Sequence, residues 1–293
     1  MHAFFARTAQ TRRVASAFFW VMAVTGAVSA GAAETVDGYV KTGHWELALA
    51  VGRGVLQSPL SDRGDIDVHV MPAIRYYGER FYLEDTSVGF SLYETPNFAL
   101  DIAGRLNTDG LFFPGSGSEL TEGLALTGKL LGVDEPVETD MAPPKRRVSY
   151  LGGFSARWLG PLDISLGMYR DVTGVHGGDE IPLVLGKRFS IGRFGFGVEL
   201  GATYQNRKLV DYYYGAETGA DMLGNTRANI LLYRAGDALN THATLEAKYY
   251  LSTSVNLVLA GRMDWLDDTI VASPFVVQHK PIAFFAGVQY SLK

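Results

Sequence analysis

The 293-residue chain has no cysteine, which removes disulfides, thiolate metal centres, a cysteine nucleophile and a lipid-modified N-terminal cysteine in one stroke. Charge is also sparse, at 19% of residues, while 34 glycines, 15 tyrosines and 16 phenylalanines argue against an intrinsically disordered chain. Long apolar runs are nearly absent. The one present, Val14 to Val28, follows Arg7, Arg12 and Arg13 and ends in the small residues of Ser29 to Ala33. That is the layout of a secretory signal peptide, so residues 1–33 are expected to be removed, with cleavage after Ala30 or Ala33. No acid precedes Glu34, so losing those three arginines takes the formal net charge from −5 to −8. An exported acidic chain is a poor partner for nucleic acid, and with no second apolar stretch of spanning length residues 34–293 are not a helical membrane protein.

Apolar residues instead recur with period two. Trp45, Leu47, Leu49 and Val51 alternate with Glu46, Ala48, Ala50 and Gly52; Ile66, Val68, Val70 and Ile74 with Asp67, His69, Met71 and Arg75. Phe98, Leu100 and Ile102 alternate with Asp101, Ala103 and Arg105, and the same rhythm returns over 162–168, 194–204, 243–250 and 282–292. Successive side chains of a strand point to opposite faces, so each segment has one apolar face and one small, polar or charged face. Segments of about ten residues match a tilted bilayer-crossing strand, whereas sandwich strands run nearer five or six. Trp45, Trp158, Tyr204, Tyr249 and Trp265 fall near segment ends, where interfacial girdles lie. The fold class expected is all-β: a transmembrane antiparallel β-barrel, residues 34–293 forming one domain surrounded by outer-membrane lipid.

Connection lengths orient it. Short turns near Pro96, Gly160, Gly192 and Thr253 belong in the periplasm; long loops over 55–64, 108–147, 172–179, 205–240 and 266–279 belong outside. Counting back from the last strand, parity requires the stretch 80–93 to split at a turn near Thr86. That gives twelve strands and both termini in the periplasm.

The chain resembles the MipA/OmpV family of outer-membrane proteins (MltA-interacting protein and relatives). The residues that carry the likeness are WELALAVG at 45–52, MPAIRYYGERFYLE at 71–84, WLGPLDISLGMYRDVTG at 158–174, YYYGAETG at 212–219 and ASPFV at 272–276. One departure is the ending Tyr290, Ser291, Leu292, Lys293, where such barrels usually close on an aromatic residue. The resemblance implies a non-enzymatic scaffold bringing a lytic transglycosylase and a penicillin-binding murein synthase together. Transport of small polar solutes and surface adhesion through the long loops are the competing expectations.

Candidate chemistry is thin. No nucleophile motif or metal-ligand cluster stands out, and no cofactor is implied. His176 with Asp179 and Glu180 is interrupted by Gly177 and Gly178 and reads as a turn, while GFGVELG from Gly195 continues as wall. His69 and His242 are placed on inward faces. The informative set is the inward charge: Glu46, Asp67, Asp101, Asp163, Glu199, Glu246 and Asp264 facing Arg75, Arg105, Arg157, Lys248 and Arg262. Near-balanced signs predict cross-lumen ion pairs that brace a narrow interior, where a selective pore would segregate its charge. Within 108–147, Leu120, Leu124, Leu130 and Leu131 recur at roughly helical spacing, as for a short helix covering or entering the mouth.

Overall fold

The structure is a computed structural model that describes residues 11–13, 39–41, 43–61, 64–113, 143–216 and 233–292. The expected cleavage sites, and the expected helix around Leu120 to Leu131, lie outside the described residues. Twelve antiparallel strands form one closed barrel. They are β1 His44–Leu56, β2 Ile66–Tyr77, β3 Phe81–Glu84, β4 Ser87–Glu94, β5 Phe98–Leu106 and β6 Tyr150–Trp158, followed by β7 Asp163–Asp171, β8 Asp179–Ile191, β9 Phe194–Gln205, β10 Ala238–Tyr250, β11 Val255–Trp265 and β12 Ile282–Leu292. Each pairs with its chain neighbour, and β12 closes on β1 from Ala283 opposite Leu56 to Leu292 opposite Leu47. A separate two-stranded pair, Thr11–Arg13 with Tyr39–Lys41, is not part of this sheet.

Period two sets inside and outside. Leu245, Met168 and Trp45 are 63%, 61% and 57% exposed, whereas the polar side chains of Gln289, Asn256 and Asp101 on the opposite face are wholly buried. A water-soluble sheet would show the reverse, so the outer apolar band faces lipid. Among the described residues no helix is long and apolar enough to cross a membrane. Aromatic residues ring the periplasmic rim, with Trp45 4.9 Å from Tyr76 and Phe194 4.9 Å from Tyr249, ring centre to ring centre.

The predicted split of 80–93 is present. Asp85, at φ +53°, makes the turn between β3 and β4; its side chain accepts the Ile74 N–H at 3.0 Å, and its own N–H donates to Ile74 O at 2.8 Å. One inward assignment is corrected. The β1–β2 ladder slips by one residue between Val51 and Gly54, and at this bulge the phase of β2 changes. Val68 therefore packs inward with Ala50, Met71 and Phe285, while Asp67 and His69 are exposed on the outer surface. Gly52 sits at the bulge because nothing larger fits: a Cβ there would lie 2.1 Å from Ala286 O.

Candidate functional site

Two features dominate the interior: a charged, tightly packed lumen and a folded cap over its extracellular mouth. In the lumen, Asp101 accepts hydrogen bonds from Arg157 Nη2 at 2.8 Å, Ser91 Oγ at 2.6 Å and Tyr82 Oη at 3.4 Å. The Arg157 guanidinium stacks over Tyr82, 5.2 Å from the ring centre. Arg75 stands opposite Glu46 on one side and Glu84 on the other. Higher up, Arg105 pairs with Glu180, three strands away, and lies over the Tyr169 ring. His242 Nε2 is 3.4 Å from Glu199.

The lumen ion pairs take three forms, of which one crosses the interior, to an acid outside the expected set. Arg105–Glu180 crosses the interior, and Arg157–Asp101 and His242–Glu199 join neighbouring strands. Lys248–Glu246 at 2.8 Å and Arg262–Asp264, held through two oxygens at 2.9 and 3.0 Å from Nε, pair within one strand. Residues two apart on a strand share a face about 7 Å apart, well within the reach of a lysine or arginine. Asp163 stands apart from the pairs, at the periplasmic rim, where it accepts the Gly160 N–H at 3.4 Å. Sequence reasoning missed Glu180 as an inward charge, the second residue of β8 just after a glycine turn, and the tyrosines Tyr82 and Tyr169 that the arginines cover. Alternation continued back from Pro182 would have placed Glu180 inside.

The cap is built from four loops. A 3-10 turn Asp109–Phe112, α1 Arg207–Tyr214 and the one-turn α2 Asp268–Val271 carry an apolar core of their own, including Leu60, Phe113, Leu209, Tyr213, Tyr214, Ile270 and Phe275. Helix α1 is capped by Asn206, whose side chain accepts the Leu209 N–H at 3.3 Å, and Leu209, Val210, Tyr213 and Tyr214 form its buried face. Asp109 ties cap to barrel: its carboxylate accepts from Tyr214 Oη at 2.8 Å and from Gln205 Nε2 at 2.7 Å, and Gln205 also reaches Glu180 at 3.3 Å. Burial, then the neighbouring Glu180 charge, pushes the Asp109 carboxyl up to about 6. A chamber under the cap is lined by Glu180, His242, Asp264, Asn240, Arg105 and Tyr214.

Hydrolytic chemistry has one geometric candidate. His176 Nε2 lies 2.9 Å from Ser149 Oγ, but Nδ1 accepts the Gly178 N–H at 2.9 Å. The ring proton therefore sits on Nε2 and is donated to the serine, the opposite of what a general base needs. Asp171 meets the backbone N–H groups of His176 and Gly177, at 2.7 and 2.9 Å, and so orders the loop instead of orienting the ring. Burial holds the imidazole below its ordinary value. Among the described residues no three His, Asp or Glu side chains are placed to hold a metal.

A family model described as MltA-interacting protein MipA matches residues 47–292. YiaT of Escherichia coli (strain K12), an outer-membrane protein by name, is 25% identical over 254 residues, spanning 84% of this chain and 90% of YiaT. Solved barrels align with low scores. OmpT of Vibrio cholerae, in its trimer form, covers 86% of this chain and all of its own at 7% identity and a TM-score of 0.35. The anion-selective porin of Comamonas acidovorans covers 85% of this chain and 99% of its own at 8% identity and a TM-score of 0.34.

Proposed function

Because the chain belongs to the MltA-interacting protein MipA family of outer-membrane barrels, we propose that it is a non-enzymatic scaffold that holds envelope partners at the outer membrane. The partners proposed are a lytic transglycosylase and a penicillin-binding murein synthase. The observation that carries this reading is the packed lumen. Asp101, Glu180, Glu199, Arg157 and Lys248 are each at most 6% exposed, although they line the interior of a twelve-stranded barrel. An open porin would leave such groups in water. With the interior filled and the extracellular mouth capped, the working surfaces are the rims. The periplasmic rim presents Glu79, Arg80, Asn97 and Arg193, exposed and of mixed charge, on turns only a few residues long.

The test is photo-crosslinking in intact cells from probes at Arg80, Asn97 and Arg193, with Met168 on the lipid face as control. Adducts containing the two murein enzymes at the rim positions alone are the expected result. Uptake of small polar solutes is the second reading, favoured by the chamber beneath the cap. Crosslinks to neither enzyme, together with a large steady conductance blocked by one solute, would replace the first reading with the second.

A further inference from the structure

The chamber under the cap has a volume of about 140 Å³. That is close to an apolar cavity of about 150 Å³ that admits benzene, so it has room for a molecule of roughly eight non-hydrogen atoms. Its lining is divided. Leu56 and Ile282, at the seam where β12 closes on β1, join Pro59, Leu266, Leu111 and Phe112 in an apolar part. β5 and β8, each four strands from that seam, contribute Arg105 and Glu180, while His242 comes from β10 and Arg262 and Asp264 from β11. Asp109 and Tyr214 complete the polar part from the cap.

The charges of this lining do not balance. Arg105 pairs with Glu180, and Arg262 with both oxygens of Asp264, so each arginine is already answered by an acid. Asp109 is the acid left over. Hydrogen bonds reach its carboxylate from Tyr214 Oη at 2.8 Å and Gln205 Nε2 at 2.7 Å, both neutral donors, and among the described residues no ion pair does. Gln205 Nε2 also donates to Glu180 at 3.3 Å, so one amide holds two carboxylates close together. A half-buried carboxylate beside a second one is stabilised by a cation supplied from outside. A metal ion fits poorly, because among the described residues no three His, Asp or Glu side chains gather to hold one, and the apolar part offers a hydrated ion no ligand. An anion would meet the excess carboxylate.

We propose that the chamber is a binding site for a small organic monocation, with its ammonium group at Asp109 and its apolar body against Phe112, Leu266 and Ile282. An apolar pocket with a few convergent polar groups is the usual form of a small-molecule site. The site goes beyond the scaffold reading and does not depend on it, since binding is read at equilibrium with neither a murein enzyme nor flux across the membrane.

Benzylammonium is the probe, titrated calorimetrically at pH 8 into the full barrel in detergent micelles, with the heat of a micelle blank subtracted. Saturable binding at one site is expected, with benzyl alcohol and benzoate at least tenfold weaker. D109N should weaken benzylammonium at least tenfold, and T203F, which sends a ring into the chamber from β9, should abolish binding. Both variants are checked for heat-modifiable migration. The Asp109 carboxyl is held up to about 6, so a proton competes with the probe, and between pH 8 and pH 5 the wild type should lose about tenfold in affinity. His242, Glu180, Asp264 and the two arginines also face the chamber, so the same pH comparison is made on D109N, where most of the loss should vanish. If D109N fails to fold, T203F and the comparison of charged with neutral probe carry the test. No saturable binding at millimolar probe, benzyl alcohol binding as tightly as benzylammonium, displacement by equimolar sodium or calcium, or an affinity unchanged in D109N would overturn the site.

Discussion

At the residue scale, the buried pair Arg157–Asp101 makes a sharp prediction. Removing one partner leaves a charge without compensation in a closed interior, at a cost of about 3 to 5 kcal/mol. Both R157A and D101A should therefore lower the denaturant midpoint of the vesicle-embedded barrel, and the double variant should lose markedly less than the two singles together. Asp109 makes a second. Its carboxyl is held up to about 6 in the fold and near the ordinary carboxylate range when unfolded, so the folded cap binds the proton more tightly. Cap stability should rise as pH falls through about 6 and level off below the ordinary range. Proteolysis of the loops at pH 5 and pH 8 reads this directly, and D109N should abolish most of the difference. His176, held below its ordinary value, would begin to protonate at the acid end and weaken its bond from Gly178, which is why the comparison is made against D109N.

At the element scale, strand faces and close approaches decide tolerance. An arginine at Leu166 or Val198, both exposed to lipid, should cost about 2 to 4 kcal/mol near mid-bilayer. The same residue at Val184, which lines the chamber, should cost far less, as read from folded yield. G52A would drive a Cβ to 2.1 Å from Ala286 O and should abolish folding, whereas G261A meets nothing nearer than 4.0 Å and should be neutral. Strands and their faces were legible because alternation is local: the split at Thr86, needed for parity, appears at Asp85 and Thr86. Asp67 and His69 were misplaced because a bulge shifts phase without changing composition. The cap was illegible for a different reason. Phe113, Tyr213 and Ile270 meet from three loops far apart in the chain, and no periodicity in any one loop records the meeting. Glu180 finds Arg105 only through the curvature of four successive strands.

At the scale of the whole molecule, closure and occlusion have separate signatures. The unboiled protein should migrate differently from the boiled form in detergent gels, because a closed ladder resists unfolding. In planar bilayers the wild type should conduct poorly. Neutralising Arg75, Arg105, Arg157 and Arg262 together should loosen the packing and raise conductance, while a solute channel would conduct from the start and only shift toward cations. The same-strand pairs Lys248–Glu246 and Arg262–Asp264 bear on how such a barrel is made. These adjoining strands, β10 and β11, each hold a cation and its counterion two residues apart, so the hairpin they form can enter hydrocarbon electrically balanced before the remaining strands arrive. Arg105 and Glu180 have no such shortcut: they neutralise one another only when the growing sheet has curled far enough to bring β5 and β8 face to face. For these two buried charges, curling of the sheet and neutralisation are the same event.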